Sequence, residues 1–316
     1  MIKIKRILCP TDLSAESDEA LRYAVALTQA YEAKLLLLHC TDIKSEGQLE
    51  SRNRSLDIAC AFEHALINHL GLAELTNLEW EALAIDNVHN IGAAIAHQAA
   101  SHQVDLIIMR SRRRPHAAAL LGSTAETVSG TAPCPVLITH PAEREWVSFS
   151  TGEIDLHRVL VAHDFSPDSE LASNYGVSLA EEYQAELHLL HVISNGEREE
   201  PEVAWSHVGV ESLYKDAARR LQEAIPNEAP LWCNVVTAVG CGKAHEEVLA
   251  YAKKHEIDLI CMGASGSGLS LGTILGSTVD RVLRQAPCPV FVARPVASAV
   301  VSAQAPNSIV LGATNR

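Results

Sequence analysis

The stretch with the most chemical content runs from Leu259 to Thr278: Leu-Ile-Cys-Met-Gly-Ala-Ser-Gly-Ser-Gly-Leu-Ser-Leu-Gly-Thr-Ile-Leu-Gly-Ser-Thr. An apolar run of strand length, Ile257 to Met262, breaks into a loop carrying Gly263, Gly266, Gly268, Gly272 and Gly276. Ser277 and Thr278 then open Val279-Asp-Arg-Val-Leu-Arg284, whose apolar residues recur at helical spacing. A strand feeding a glycine-rich loop that opens a helix is suited to holding phosphate. Glycine lets a ligand approach the backbone, and the helix start offers unpaired N–H groups and a partial positive charge. The plain alternative is a solvent-exposed surface loop, and the two hydroxyls at the helix start favour the oxyanion reading.

Two familiar phosphate motifs fail here. The run Gly263 to Ser270 has the outer spacing of a P-loop, but Leu269 stands where the phosphate-binding lysine is needed. The dinucleotide fingerprint fails because Gly266 and Gly268 are followed by Leu271, and because these glycines follow a fourth strand rather than a first. What does fit is G-x2-G-x9-G-[ST], met by Gly263, Gly266, Gly276 and Ser277.

The elements that must position this loop come from a duplication. Arg6-Ile-Leu-Cys-Pro-Thr-Asp12 returns as Arg158-Val-Leu-Val-Ala-His-Asp164, and windows 6–40 and 158–192 share 15 identities in 35 positions. Leu121-Gly-Ser-Thr124 matches Leu275-Gly-Ser-Thr278, and Ala132-Pro-Cys-Pro-Val136 matches Ala286-Pro-Cys-Pro-Val290. A repeat of this length is a duplicated domain, not a solenoid. The expected division is a first domain over 1–142, a linker over 143–156, a second domain over 157–296 and a tail over 297–316. Each copy alternates strand and helix, which predicts an α/β fold of doubly wound parallel sheets. In the second copy the predicted strands are 157–162, 186–193, 231–239, 257–262 and 289–294. The segment Asn307 to Gly312 reads as an edge strand or as disorder.

Ligands in such sheets sit beyond the carboxyl ends of the strands, where strand order reverses. Asp164, just past the first strand of copy two, then faces the glycine loop past the fourth. Its carboxylate suits ribose hydroxyls or an adenine amino group; the competing role is an N-cap, which Ser166 could fill instead.

Composition narrows the partners. A formal charge of −14 argues against nucleic acid or an anionic membrane as the main partner. No apolar run approaches membrane-spanning length, and the basic start Met1 to Arg6 leads into a short strand. Eight cysteines without a C-x-x-C read as free thiols in a reducing cytoplasm. Cys233, Cys241 and His245, or Cys9, His39 and Cys40, lack zinc-ligand spacing, and no catalytic constellation stands out.

These motifs together resemble the universal stress protein family, specifically its tandem two-domain members. The resemblance implies two five-stranded parallel sheets in the order 3-2-1-4-5, like adenine nucleotide alpha hydrolases, paired with each other through strand five. It implies ATP, with or without Mg²⁺, as the ligand of copies that keep the glycine motif. On matching positions, Asp164 and Val192 would contact adenosine, while Gly263, Gly266, Gly276, Ser277 and Thr278 would hold ribose and phosphates. Copy one departs from the pattern: Arg110 and Arg113 replace the first two glycines, and Pro115 removes a donor. The expectation is that copy one does not bind ATP as copy two does, with Arg110 or Arg113 paired to Asp12 and plugging the pocket. The leading reading is an ATP-binding regulatory protein of the stress response, able to form a homodimer. The alternatives are a nucleotide-independent scaffold and a slow ATPase.

Overall fold

A computed structural model describes residues 2–42, 51–111, 122–140, 144–148, 151–193, 207–266, 275–295 and 309–311. The first copy supplies β1 (Arg6–Pro10), α1 (Asp18–Ala30), β2 (Lys34–Asp42), α2 (Ser51–Leu70), a short α3 (Leu72–Leu75) and β3 (Trp80–Val88). It closes with α4 (Ile91–Ser101), β4 (Leu106–Arg110), α5 (Ser123–Thr131) and β5 (Val136–Thr139). The second copy supplies β6 (Arg158–Ala162), α6 (Pro167–Tyr183), β7 (Glu186–Ile193), α7 (His207–Ala224) and β8 (Val235–Cys241). Then follow α8 (Ala244–Lys254), β9 (Leu259–Gly263), α9 (Ser277–Gln285), β10 (Val290–Ala293) and the tail strand β11 (Ile309–Leu311).

All eleven strands form one sheet in the order β11-β3-β2-β1-β4-β5-β10-β9-β6-β7-β8. Each copy therefore has the order 3-2-1-4-5, parallel throughout, and the copies meet through strand five. Val136, Leu137 and Ile138 run antiparallel to Val292, Phe291 and Val290. The strands are apolar on both faces because helices cover both. Along β2, Leu35 and Leu37 enter the core beneath α1, α2 and α6, while Leu36 and Leu38 enter the one beneath α4, α5, α8 and α9. Both cores run across both copies.

One carboxylate per copy fixes how the central strand starts. Asp105 Oδ2 accepts from the Lys5 and Arg6 amides at 2.8 and 3.0 Å, and Asp258 Oδ2 accepts from His157 and Arg158 at 3.0 and 2.8 Å. The segment joining the copies is itself packed. Trp146, 2% exposed, stands edge-on to Tyr23 at 4.8 Å, and its amide donates to the Tyr23 hydroxyl. Its neighbour Glu145 pairs with Arg22 at 2.7 Å, and Arg144 reaches Asp258 of the second copy at 3.1 Å. Across the seam the Tyr31 hydroxyl donates to Glu182 at 2.7 Å.

One expectation needed adjustment, and one open alternative is decided. The third strand of copy two starts at Val235, not 231, because Pro230 lies in a 3-10 turn, Ala229–Leu231, whose Ala229 carbonyl accepts from the Trp232 and Cys233 amides. The tail segment is an edge strand over Ile309–Leu311, antiparallel to Ala82–Ala84 of β3. Among the described residues no helix is long and apolar enough to cross a membrane. Replacing Trp146 with Ala should lower stability by about 3–5 kcal/mol, the range for deleting a buried large aromatic. The urea midpoint by tryptophan-independent circular dichroism checks it.

Candidate functional site

The carboxyl ends of β6, β7 and β9 and the start of α9 surround a cavity of about 290 Å³. Its walls include all seven residues singled out from sequence: Asp164, Val192, Gly263, Gly266, Gly276, Ser277 and Thr278. Loop residues 267–274, with Gly268 and Gly272, lie outside the described residues.

Asp164 is held by its own turn. Its Oδ1 accepts from the Ser166 amide at 3.1 Å and the Ser166 hydroxyl at 2.5 Å, with Phe165 in the left-handed region at φ 62°. The N-cap of α6 is Ser166, whose hydroxyl accepts from the Ser169 amide at 3.2 Å, so Asp164 does not fill that role. Behind it, the His191 Nδ1–H donates to the His163 carbonyl at 2.8 Å, and the Phe165 amide donates to His163 Nδ1 at 3.1 Å. Copy one repeats this scaffold with His39 on the Thr11 carbonyl and the Thr11 hydroxyl accepting from Leu13. The Cys9–His39–Cys40 group is thus committed elsewhere: His39 holds the turn, and burial pushes the Cys9 thiol up to about 12.

The three motif glycines answer to three different demands. A Cβ on Gly263 would stand 2.6 Å from the Asp168 carbonyl carbon, so glycine there lets β9 end against the first turn of α6. A Cβ on Gly266 would stand 2.7 Å from Asp164 Oδ2, so glycine there leaves the carboxylate its place. At Gly276 a Cβ would meet only ordinary contacts, 3.5 Å or more, and its φ of −62° suits any residue. Among the described residues nothing in the packing requires glycine at this position. Because Gly276 is the N-cap of α9, the helix start carries no side-chain cap, and its first amides lack intrahelical acceptors.

Sequence reasoning missed the latch beneath the loop. The Ser265 amide donates to Asp168 Oδ2 at 3.1 Å, and the Ser265 hydroxyl bonds the same oxygen. It also missed Met262, Ala162 and Val248, which join Val192 in an apolar wall. Ser265 lies inside the motif and Asp168 opens a predicted helix, but nothing in either stretch pairs them across 97 positions.

Copy one corrects the Arg110 half of an expectation. Arg110, at the position of Gly263, forms its ion pair with Glu19 at 2.7 Å and donates to the Glu16 carbonyl. Asp12 accepts from the Ser14 and Ser17 hydroxyls. Among the described residues a cavity of about 580 Å³ remains, lined by Asp12, Leu38, Met109, Arg110 and Gly122–Thr124. The cause lies in the helix. With the offset of 152 that aligns Asp12 with Asp164, Pro167 matches Ala15, yet α1 starts at Asp18, three residues later. That retreat leaves room for the arginine side chain beside α1, where Glu19 receives it. Arg113 lies outside the described residues.

The two halves, residues 3–140 and 156–294, each match the model of the universal stress protein family. The chain belongs to this family. Universal stress protein Slr1230 of Synechocystis is 25% identical over 316 residues, covering 92% of this chain and 100% of that relative. Universal stress protein YxiE of Bacillus subtilis is 31% identical over 151 residues, covering 44% of this chain and 99% of its own. Among solved structures, a universal stress protein from Archaeoglobus fulgidus superposes with a TM-score of 0.61 at 21% identity, over 94% of this chain and 100% of that one. At that identity the likeness speaks to the fold.

Burial holds the His163 pKa below its ordinary value of 6.5. The unfolded imidazole therefore takes a proton at higher pH than the folded one. Unfolding is favoured as pH falls below 6.5, and this contribution to stability is complete above it. His163→Thr, which carries the hydroxyl that serves the same turn in copy one, should lose less stability than wild type between about pH 7.5 and about pH 5.5, read as urea midpoints.

Proposed function

We propose that the C-terminal copy holds one ATP per chain and that the protein acts as a nucleotide-dependent regulator in the stress response. The observation that carries this reading is Gly276. Neither its conformation nor its packing against the described residues asks for glycine there, yet it leaves the α9 N-terminus without a side-chain cap, at the cavity that all seven of these residues line. A phosphate oxygen is the group that an uncapped helix start with adjacent Ser277 and Thr278 hydroxyls is fitted to accept.

The rest of the ligand follows from the walls. Val192, Met262 and Val248 offer an apolar slot for a base, and Asp164 Oδ2, next to Gly266, stands where it can accept from ribose hydroxyls or an exocyclic amine. Binding is what this set supports. A regulatory role fits a site whose carboxylate is already tied to the amide and the hydroxyl of Ser166.

Protein purified, heat-denatured and chromatographed should release about one adenine nucleotide per chain. Gly276→Asp is the sharpest variant, because Asp is a favoured N-cap and the backbone at 276 is already extended. It should keep or raise the melting temperature while weakening ATP at least about tenfold, since a carboxylate would occupy the phosphate position; a tenfold loss is about 1.4 kcal/mol. Undiminished binding by Gly276→Asp would remove the helix start from the site. No nucleotide released from wild type, and none bound in calorimetry, would leave the scaffold reading. Turnover of ATP with Mg²⁺ well above background would mark an ATPase instead. Gly266→Ala should also weaken binding, acting through a displaced Asp164.

A further inference from the structure

The eleven-stranded sheet has two ends, and the chain treats them differently. At one end β3 is covered by the tail strand β11, with Ile309 opposite Ala84 and Leu311 opposite Ala82. At the other, β8 is the last strand, and no strand among the described residues pairs with its outer edge. The repeat makes the two edges equivalent: Leu37, Leu38 and His39 face Ala82, Leu83 and Ala84, while Leu189, Leu190 and His191 face Thr237, Ala238 and Val239. The site that receives β11 on copy one thus has a counterpart at Thr237–Val239 on copy two.

This counterpart lacks the devices that keep an edge strand single. Exposed edges are normally blunted by charge, proline or a bulge. Val235-Val-Thr-Ala-Val-Gly-Cys241 contains no charge and no proline, pairs with β7 without a register shift, and is partly exposed at every residue. The Asn234 carbonyl accepts from the Leu187 amide, which sets the phase of the ladder. Alternate residues of a parallel strand send their backbone groups to the same side, so Val235, Thr237, Val239 and Cys241 present theirs outward. A separate observation lies at the start of the same strand. Leu231 and Trp232 are 76% and 66% exposed, the most exposed large apolar side chains among the described residues, and adjoin an open groove lined by Ile225, Pro226 and Val235.

We infer that the β8 edge, with Leu231 and Trp232 beside it, is an interface for a second copy of this chain, pairing β8 with β8 antiparallel about a two-fold axis. The choice of occupant follows from the count of tails. Among the described residues each chain has one tail strand, β11, for two edges. Exchanging tails between chains would cover β8 only by uncovering β3, so it moves the bare edge without removing it. Pairing β8 with β8 leaves a joint sheet whose two ends are both β11, a strand of three residues, and short edge strands are one of the ways an edge is kept single. A two-fold antiparallel junction already works in this sheet, since β5 and β10 meet that way within one chain. The strand itself carries no charged side chain, so two chains of formal charge −14 can pair there without like charges on the two β8 strands.

Sedimentation equilibrium of the full chain at tens of micromolar, with and without added ATP, tests this. The expected result is a weight-average mass approaching twice the monomer. Val239→Pro removes one outward amide and none of those bonded to β7, and should return the mass to the monomer value. Leu231→Ser with Trp232→Ala leaves the strand unchanged and should weaken association at least about tenfold. Hydrogen exchange supplies a readout that does not depend on any variant folding: the Val235, Thr237 and Val239 amides should gain protection with rising protein concentration. A monomer at about 100 μM would overturn the inference, as would a dimer that both variants leave intact and whose β8 amides exchange at a concentration-independent rate.

Discussion

The antiparallel pairing of β5 with β10 is the contact on which the rest of the architecture depends. Three residues from each side join two parallel sheets into one, and the helices that cover them then share cores across the junction. Tyr31, Trp146 and Arg144 add polar and aromatic ties to the same seam. Because the strands within each copy are parallel, this one reversal sends their carboxyl ends to opposite sides of the sheet. The two cavities therefore open away from each other, and each is built from a single copy.

Within each copy the site rests on a small set of backbone-fixing bonds rather than on the cavity walls. Asp258 sets where β6 starts, His191 holds the carbonyl at its end, and Ser166 fixes both Asp164 and the first turn of α6. Asp168 then ties that turn to Ser265 in the glycine loop. The binding groups are thus positioned by a relay of short-range turns anchored on a rigid sheet, which keeps the entropy of ordering them low when a ligand arrives.

Much of this could be read from the residues. Alternation of apolar strands and amphipathic helices gives the fold, the duplication gives the domain count, and Gly276-Ser277 marks the start of α9 to the residue. Asp164 and Val192 could be placed beside the loop because strand order in such sheets decides which loops meet. What stayed illegible depended on tertiary accommodation. Arg110 chooses Glu19 over Asp12 only because α1 begins three residues late, and a helix start is a local outcome that the repeat alone would have put earlier. The late start of β8 has a similar origin, since the 3-10 turn at Pro230 consumes residues whose apolar character suggests a strand.

The collision that a side chain at Gly263 would make with Asp168 bears on the history of the two halves. In copy one, where Arg110 stands at that position, the helix begins later, and Arg110 has Glu19 and the Glu16 carbonyl as partners. Restoring glycine there alone would empty the space and strand Glu19, half-buried, without its cation, while the lost turn of α1 would still have to be rebuilt. The single change back to glycine therefore costs an ion pair before a longer helix can repay it. A single strand-end residue thus works as a ratchet, and divergence between duplicated halves becomes hard to undo even while the fold around them stays the same.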